Sequence, residues 1–294
     1  MQALVHDIYN LTHDEIGKRE QMKLDQIGFW SEIKLEIIKK YAGAYTSIMK
    51  NQSWCRGYVY IDAFAGAGKH ISRKTGEMIP GSPLNALMVK PPFTEYFFID
   101  LAEDRADVFI ELAKENPNIH PYHGDCNEVL FKDIFPKIGW DTYKRALCIL
   151  DPYGLHLKWE TIKKAAELKT IDIFINFPIM DMNRNVLFAD FDKAEPEDIA
   201  RMNGFWGDES WKNLLYKEQE TLFGETQHIR VESYHTLAKE FAMRLKKAGF
   251  KSVPDPILMT NIKNGPLYYL YFASQKEVTN KIIKDIFSKY EKGQ

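Results

Sequence analysis

Short apolar runs alternating with helical or loop patterns constrain this chain more than any other feature of its sequence. Tyr58 to Ala65, Glu95 to Ile99, Ile119 to Tyr122, Ala146 to Leu150 and Ile171 to Phe177 are strand-like, rich in β-branched and aromatic residues. Strands separated by helices pair in parallel through crossovers, so this order implies βαβ units around a parallel sheet. Ahead of them, Phe29 to Met49 places Ile33, Ile37, Tyr41 and Ile48 at helical spacing among Glu32, Lys34, Lys39 and Lys40, which reads as an amphipathic leading helix. Lys69 to Pro80 reads as a loop, and Gly81-Ser82-Pro83 as a helix start with Ser82 as N-cap and Pro83 as first helical residue. Near the C-terminus, Pro256 to Asn261 and Leu267 to Ser274 flank the turn sequence Lys263-Asn264-Gly265-Pro266, which predicts a hairpin.

A length of 294 residues suits one large α/β domain with an insertion. The expected organisation is an N-terminal helical segment (1–50), a Rossmann-like core (51–182), a helical insertion (183–233) and a completion of the core by a helix, the hairpin and a terminal helix (234–294). The insertion is acidic and carries Trp206 and Trp211 as anchors; it reads either as a cover over the ligand edge of the sheet or as a packing appendage. With 45% hydrophobic and 27% charged residues the chain can bury a sizeable core, which excludes disordered and fibrous classes. Its apolar runs are too short to cross a bilayer and its first residues lack a signal-peptide pattern, so a cytoplasmic location is expected. Cys55, Cys126 and Cys148 are scattered and form no CxxC pair, which argues against a disulfide framework or a zinc site. The net charge of −2 excludes a global basic field, although basic residues outnumber acidic ones from Thr236 onward.

Tyr58-Val-Tyr-Ile-Asp62-Ala-Phe64-Ala-Gly66-Ala-Gly68-Lys69 is a strand running into a glycine-bearing turn, where a bare backbone can approach a ligand. A Walker A loop needs glycine at position 63 and Ser or Thr at 70, but Ala63 and His70 stand there. A dinucleotide fingerprint needs a third glycine at position 71, which is Ile. An acid closing the strand and followed by Phe-x-Gly-x-Gly matches instead the S-adenosylmethionine (SAM) loop of methyltransferases. Asp100 closes the second strand, where a carboxylate can accept both ribose hydroxyls, and Asp125 follows the third, where it can take an adenine amino group. Singly each acid reads equally as a cap or turn residue; in series with the loop, at one per strand, they read as cofactor contacts. A parallel sheet closed by an antiparallel C-terminal strand also separates methyltransferase folds from dinucleotide-binding ones. The expected fold is therefore the Rossmann-like class I methyltransferase fold.

The fourth strand ends Asp151-Pro152-Tyr153, which is similar to the Asp-Pro-Pro-Tyr element of amino-methyltransferases with one proline missing. In that element the acid and the proline carbonyl aim a planar amine and the ring stacks on it, so positioning supplies much of the acceleration. A sharp, purely structural strand end is the other reading. Asn176, Asp181 and Arg184 follow the fifth strand on what should be the same edge and are the substrate-binding candidates, loop capping being their alternative. His120, His123 and Asp125 lie close in sequence, but no fourth ligand accompanies them and no metal is assigned.

Phe29 to Ile37, Tyr60 to Gly68, Gly81-Ser-Pro-Leu84 with Ala86-Leu87, Asp151 to Leu155 and Asp172 to Phe177 together resemble the three-Cys-motif partner (TcmP) family, over roughly residues 29 to 275. The resemblance implies a SAM-dependent methyltransferase-like protein working beside a separate three-cysteine, radical-SAM-like partner. It leaves the methyl acceptor open, and the common family form has Phe where Tyr153 stands. Lys34 recurs in the likeness, which suits an ammonium near the SAM carboxylate; a solvated helix face is the alternative. The functional expectation is N-methylation of a planar amine, such as a nucleobase in nucleic acid. An accessory protein without independent turnover, and an O-methyltransferase acting on small molecules or protein, are the competing readings.

Overall fold

A computed structural model describes residues 24–220, 226–261 and 263–291. Five strands run parallel at its centre: β2 (Gly57–Asp62), β5 (Glu95–Asp100), β6 (Ile119–His123), β7 (Lys144–Leu150) and β8 (Ile171–Phe177). The last two strands, β11 (Ile257–Thr260) and β12 (Pro266–Ala273), form the expected hairpin. β12 inserts antiparallel between β8 and β11, giving the seven-stranded order β11-β12-β8-β7-β2-β5-β6. Central strands buried on both faces should be largely apolar, and the middles of β2, β5, β7 and β8 are, with polar residues such as Asp62, Asp100 and Asn176 at or near the carboxyl ends. Val59 and Ile61 point to one face with Phe97, Cys148 and Ile173; Tyr60 points to the other with Phe98, Leu147 and Phe174.

Helix α1 (Phe29–Lys50) covers the second face, burying Ile37, Ile38, Tyr41 and Tyr45 against the sheet and against the terminal helix, Val278–Glu291. Each such side chain contributes about 1.5–3 kcal/mol when fully buried. Tyr41 also donates to Asp172 at 2.8 Å, which pins the helix to the start of β8.

Two expectations require correction. Lys69 to Pro80 is not a plain loop: β3 (Lys69–Ser72) and β4 (Met78–Pro80) pair antiparallel, and β1 (Gln26–Ile27) joins β3 in parallel. Strands of two to four residues around a polar turn carry no readable period. Residues 24–34 thereby become a strap, anchored to this small sheet at Gln26 and Ile27 and running into the first turns of α1. The 183–233 segment is not wholly helical either. It holds helices Pro196–Trp206 and Ser210–Leu215 and then an antiparallel hairpin, β9 (Tyr216–Glu220) with β10 (Thr226–Arg230). Trp206 and Trp211 are fully buried, and Phe205 stacks on Phe241 of the helix Tyr234–Ala248, which packs on the first face of the sheet. No helix among the described residues is long and apolar enough to cross a membrane.

Candidate functional site

The glycine turn after β2 is held mainly from behind. Gly66 and Gly68 have φ of +61° and +73°, conformations that L side chains rarely adopt. Gly66 has open space where a β-carbon would stand. Gly81 donates its N–H to the Gly68 carbonyl at 2.7 Å, and a β-carbon on Gly81 would lie 2.9 Å from that oxygen. Gly81, rather than Ser82, is the N-cap of the next helix, Ser82–Met88, which frees the Ser82 side chain to hydrogen-bond Asp62. Asp62 is fully buried and accepts from Phe64 N–H and Tyr60 O–H, both at 3.3 Å; burial pushes its carboxyl up to about 7. Asp100 accepts from Gly66 N–H at 2.8 Å and from Ala102 N–H at 2.9 Å.

Asp125 is the N-cap of the short helix Cys126–Val129, accepting from Asn127 N–H at 2.8 Å. His123 contacts the Leu101 carbonyl, and His120 stacks on Phe97.

Across the carboxyl ends of β7 and β8 the side chains converge on one another. Asp151 receives Lys34 Nζ at 2.5 Å on one oxygen and Asn176 Nδ2 at 2.8 Å on the other. Lys34 is thus neither on a solvated face nor free of a carboxylate partner within the protein. Only 8% exposed, it lies 5.1 Å from the centre of the Tyr268 ring. Burial alone would lower its ammonium pKa, but Asp151 more than offsets this and holds it above the ordinary lysine value. Because a carboxylate only accepts, the Asn176 amide is oriented with NH₂ toward Asp151, and its carbonyl oxygen is buried without a partner among the described residues. Asp181 accepts from Asn185 at 2.9 Å on one oxygen; the other is buried, without a partner among the described residues, and so close to Gly154 that a β-carbon there would lie 3.1 Å away. Tyr153 is 73% exposed, and its hydroxyl donates to Asp25 at 2.6 Å.

These groups face one cavity of 1610 Å³. Phe64 and Gly66 line it from the glycine turn, Lys34 from α1, and Asp151, Pro152, Tyr153, Asn176, Asp181 and Arg184 from the ends of β7 and β8. Asp62, Gly68, Asp100 and Asp125 do not line it; the first and third brace the turn and the last caps a helix. Among the described residues of 186–233 none lines it, so beyond Arg184 the described part of the insertion packs beside the sheet. Sequence reasoning missed Asp25, Gly81 and Tyr268. Of these only Gly81 carried a signal, as the glycine opening Gly-Ser-Pro.

No family model and no characterised relative matches the chain by sequence. Among solved structures it is similar to protein LPL1258 from Legionella pneumophila, at 13% identity over 87% of this chain and 91% of that one, with a TM-score of 0.52. A putative S-adenosylmethionine dependent methyltransferase from Listeria monocytogenes aligns at 16% identity over 81% and 100%, with a TM-score of 0.39. A S-adenosylmethionine-dependent methyltransferase from Clostridium acetobutylicum aligns at 10% over 82% and 91%, with a TM-score of 0.40. Identities this low speak to fold alone. The strand order, with an antiparallel β12 inserted beside β8, is that of the Rossmann-like class I methyltransferase fold.

Proposed function

We propose that this chain is a SAM-dependent methyltransferase acting on a planar amine, such as a nucleobase amino group in nucleic acid. The observation that carries the reading is that one cavity takes both the glycine turn, at Phe64 and Gly66, and the Asp151-Pro152-Tyr153 turn. Its 1610 Å³ exceeds the roughly 300–1,000 Å³ of a single small-molecule site, which leaves room for cofactor and acceptor together. The turn suits SAM on two further counts. Gly66 leaves open the space a side chain would fill, and Asp100 places a carboxylate beside the Gly66 N–H. Phe64 and Gly66, which line the cavity, are the proposed cofactor contacts, with Gly68, Asp62 and Asp100 holding the turn from outside it; Lys34, expected near the SAM carboxylate, is assigned instead to Asp151. Asp62 acts by bracing the turn, and Asp125 stands at the end of the third strand for the adenine side.

When bound, SAM supplies an electrophilic methyl group on a sulfonium. The protein's part is then to aim the amine. Asp151 and the Pro152 carbonyl accept its hydrogens, the Tyr153 ring covers its face, and the free Asn176 and Asp181 oxygens take further N–H donors of the same molecule. Such orientation replaces the need for a strong base, because holding the lone pair in line is itself a large share of the barrier. Exposed Arg73, Lys74 and Arg184 along the cavity favour a polyanionic substrate. The resemblance to three-Cys-motif partners adds a radical-SAM-like companion to the proposal, which co-purification from two-protein expression tests.

Isothermal titration of the purified chain with SAM tests the cofactor, with Gly68→Trp as the non-binding control; no heat from the wild type overturns the reading. Mass spectrometry of nucleic acid, protein and metabolite pools after incubation with labelled-methyl SAM identifies the acceptor. Label on a carboxylate or hydroxyl oxygen, with turnover surviving Asp151→Ala, replaces the amine by an O-acceptor.

A further inference from the structure

The strap supplies a side chain to each half of the Asp-Pro-Tyr turn. Asp25 accepts the Tyr153 hydroxyl at 2.6 Å and is itself held by Arg105 at 3.4 Å, from the helix that follows Asp100. Lys34 donates to Asp151 at 2.5 Å. The backbone between them is not free to drift. Ile71 N–H donates to the Asp25 carbonyl at 3.1 Å, Arg73 N–H to the Ile27 carbonyl at 2.9 Å, and Ser72 to the Glu32 carboxylate at 2.7 Å.

Two features make this more than a packing arrangement. Tyr153 is 73% exposed, and the hydroxyl contact to Asp25 anchors the far end of its ring and so fixes the direction in which the ring points. Asp151 has a different need. Its half-buried carboxylate is held from two sides, by Lys34 at 2.5 Å on one oxygen and Asn176 at 2.8 Å on the other, and Lys34 is the cation in contact with it.

Resting on the methyltransferase reading, we propose that Asp25 and Lys34 are positioning residues for the methyl acceptor: Asp25 anchors the far end of the Tyr153 ring and Lys34 fixes the rotamer of Asp151. The strap is then part of the acceptor site and not of the cofactor site. A planar amine entering the cavity meets a ring and a carboxylate already in place, and the ordering cost is met by the folded strap before binding.

The test has two arms, run on the full chain. Hydrogen exchange of the 150–155 segment is measured without substrate in wild type, Asp25→Ala, Tyr153→Phe and Lys34→Met; the expected result is faster exchange in all three variants. The second arm measures labelled methyl transfer from SAM to a mixed-sequence single-stranded RNA. Asp25→Ala and Tyr153→Phe are each expected to raise KM for the RNA about tenfold, and the double variant no further, because both remove one interaction. Lys34→Met is expected to lower kcat about 100-fold. Lys34→Arg restores much of the rate, and SAM affinity stays within about twofold throughout. Additive effects of Asp25→Ala and Tyr153→Phe, or unchanged exchange in the 150–155 segment, overturn the proposal. If wild type transfers no methyl to RNA while the exchange result holds, the strap still orders the turn and the acceptor reading fails instead.

Discussion

The two halves of the cavity are built by different means. On the glycine side the contacts are short in sequence and mostly involve backbone: Phe64 N–H reaches Asp62 two residues away, and Gly66 N–H reaches Asp100 across 34. On the acceptor side the contacts join side chains far apart: Lys34 to Asp151 across 117 residues and Tyr153 to Asp25 across 128. The first kind follows from a strand ending in a particular turn. The second exists only once α1 has crossed the sheet. A local turn tolerates change at a distance, whereas a convergent site fails when any contributor is lost.

The largest expected effect tests the convergent half. Asp151→Asn keeps the shape but removes the charge that faces Lys34, and kcat should fall on the order of 10²–10³-fold with SAM affinity unchanged. A variant with normal turnover would show that this half is packing only.

Next in size, Gly81→Ala tests the local half from behind, since its β-carbon would press on the Gly68 carbonyl at 2.9 Å. SAM affinity by titration should drop at least about tenfold, equivalent to roughly 1.4 kcal/mol, while Gly43→Ala, with no atom near its β-carbon, leaves it unchanged.

Asn176→Leu removes the donor to Asp151 and the free carbonyl together; kcat/KM for the acceptor should fall about 10–100-fold without change in cofactor binding. Equal loss of SAM affinity would merge the two halves into one.

The smallest effect is on stability. The folded state holds the Asp62 proton up to about pH 7, whereas the ordinary value is 3.8, so the folded state binds more protons between them. Stability should therefore fall as pH rises through that window, with the full penalty present above it. Asp62→Asn cannot ionise, and its Tm relative to wild type should rise between pH 4 and pH 8, by about 2–4 °C per kcal/mol. Parallel Tm–pH curves would show that Asp62 is not the buried acid responsible.

Much of the fold was legible. Runs such as Ala146 to Leu150 announce themselves because both faces of a central strand must be apolar, and the hairpin was readable from Asn264-Gly265 at its turn. The glycine loop was legible because the missing positions at 63, 70 and 71 excluded its rivals. The small β1–β3–β4 sheet was not, since strands of two to four residues carry too few side chains for a period. The hairpin at 216–230 was hidden for a related reason: Lys217, Glu218, Gln219 and Glu220 are exposed and show no apolar alternation.

Residue order alone determined the strand runs of the sheet, the glycine turn and the Asp-Pro-Tyr strand end, because each depends on neighbours within a few positions. Tertiary structure decided what those parts face. It gave Lys34 to Asp151, Asp25 to Tyr153 and Gly81 to Gly68, and it brought Arg184 of the 183–233 segment to the cavity while the described residues after it pack beside the sheet. The physical reason is that a side chain's partner across more than a hundred residues is set by how helices cross a sheet, and no local pattern encodes that crossing.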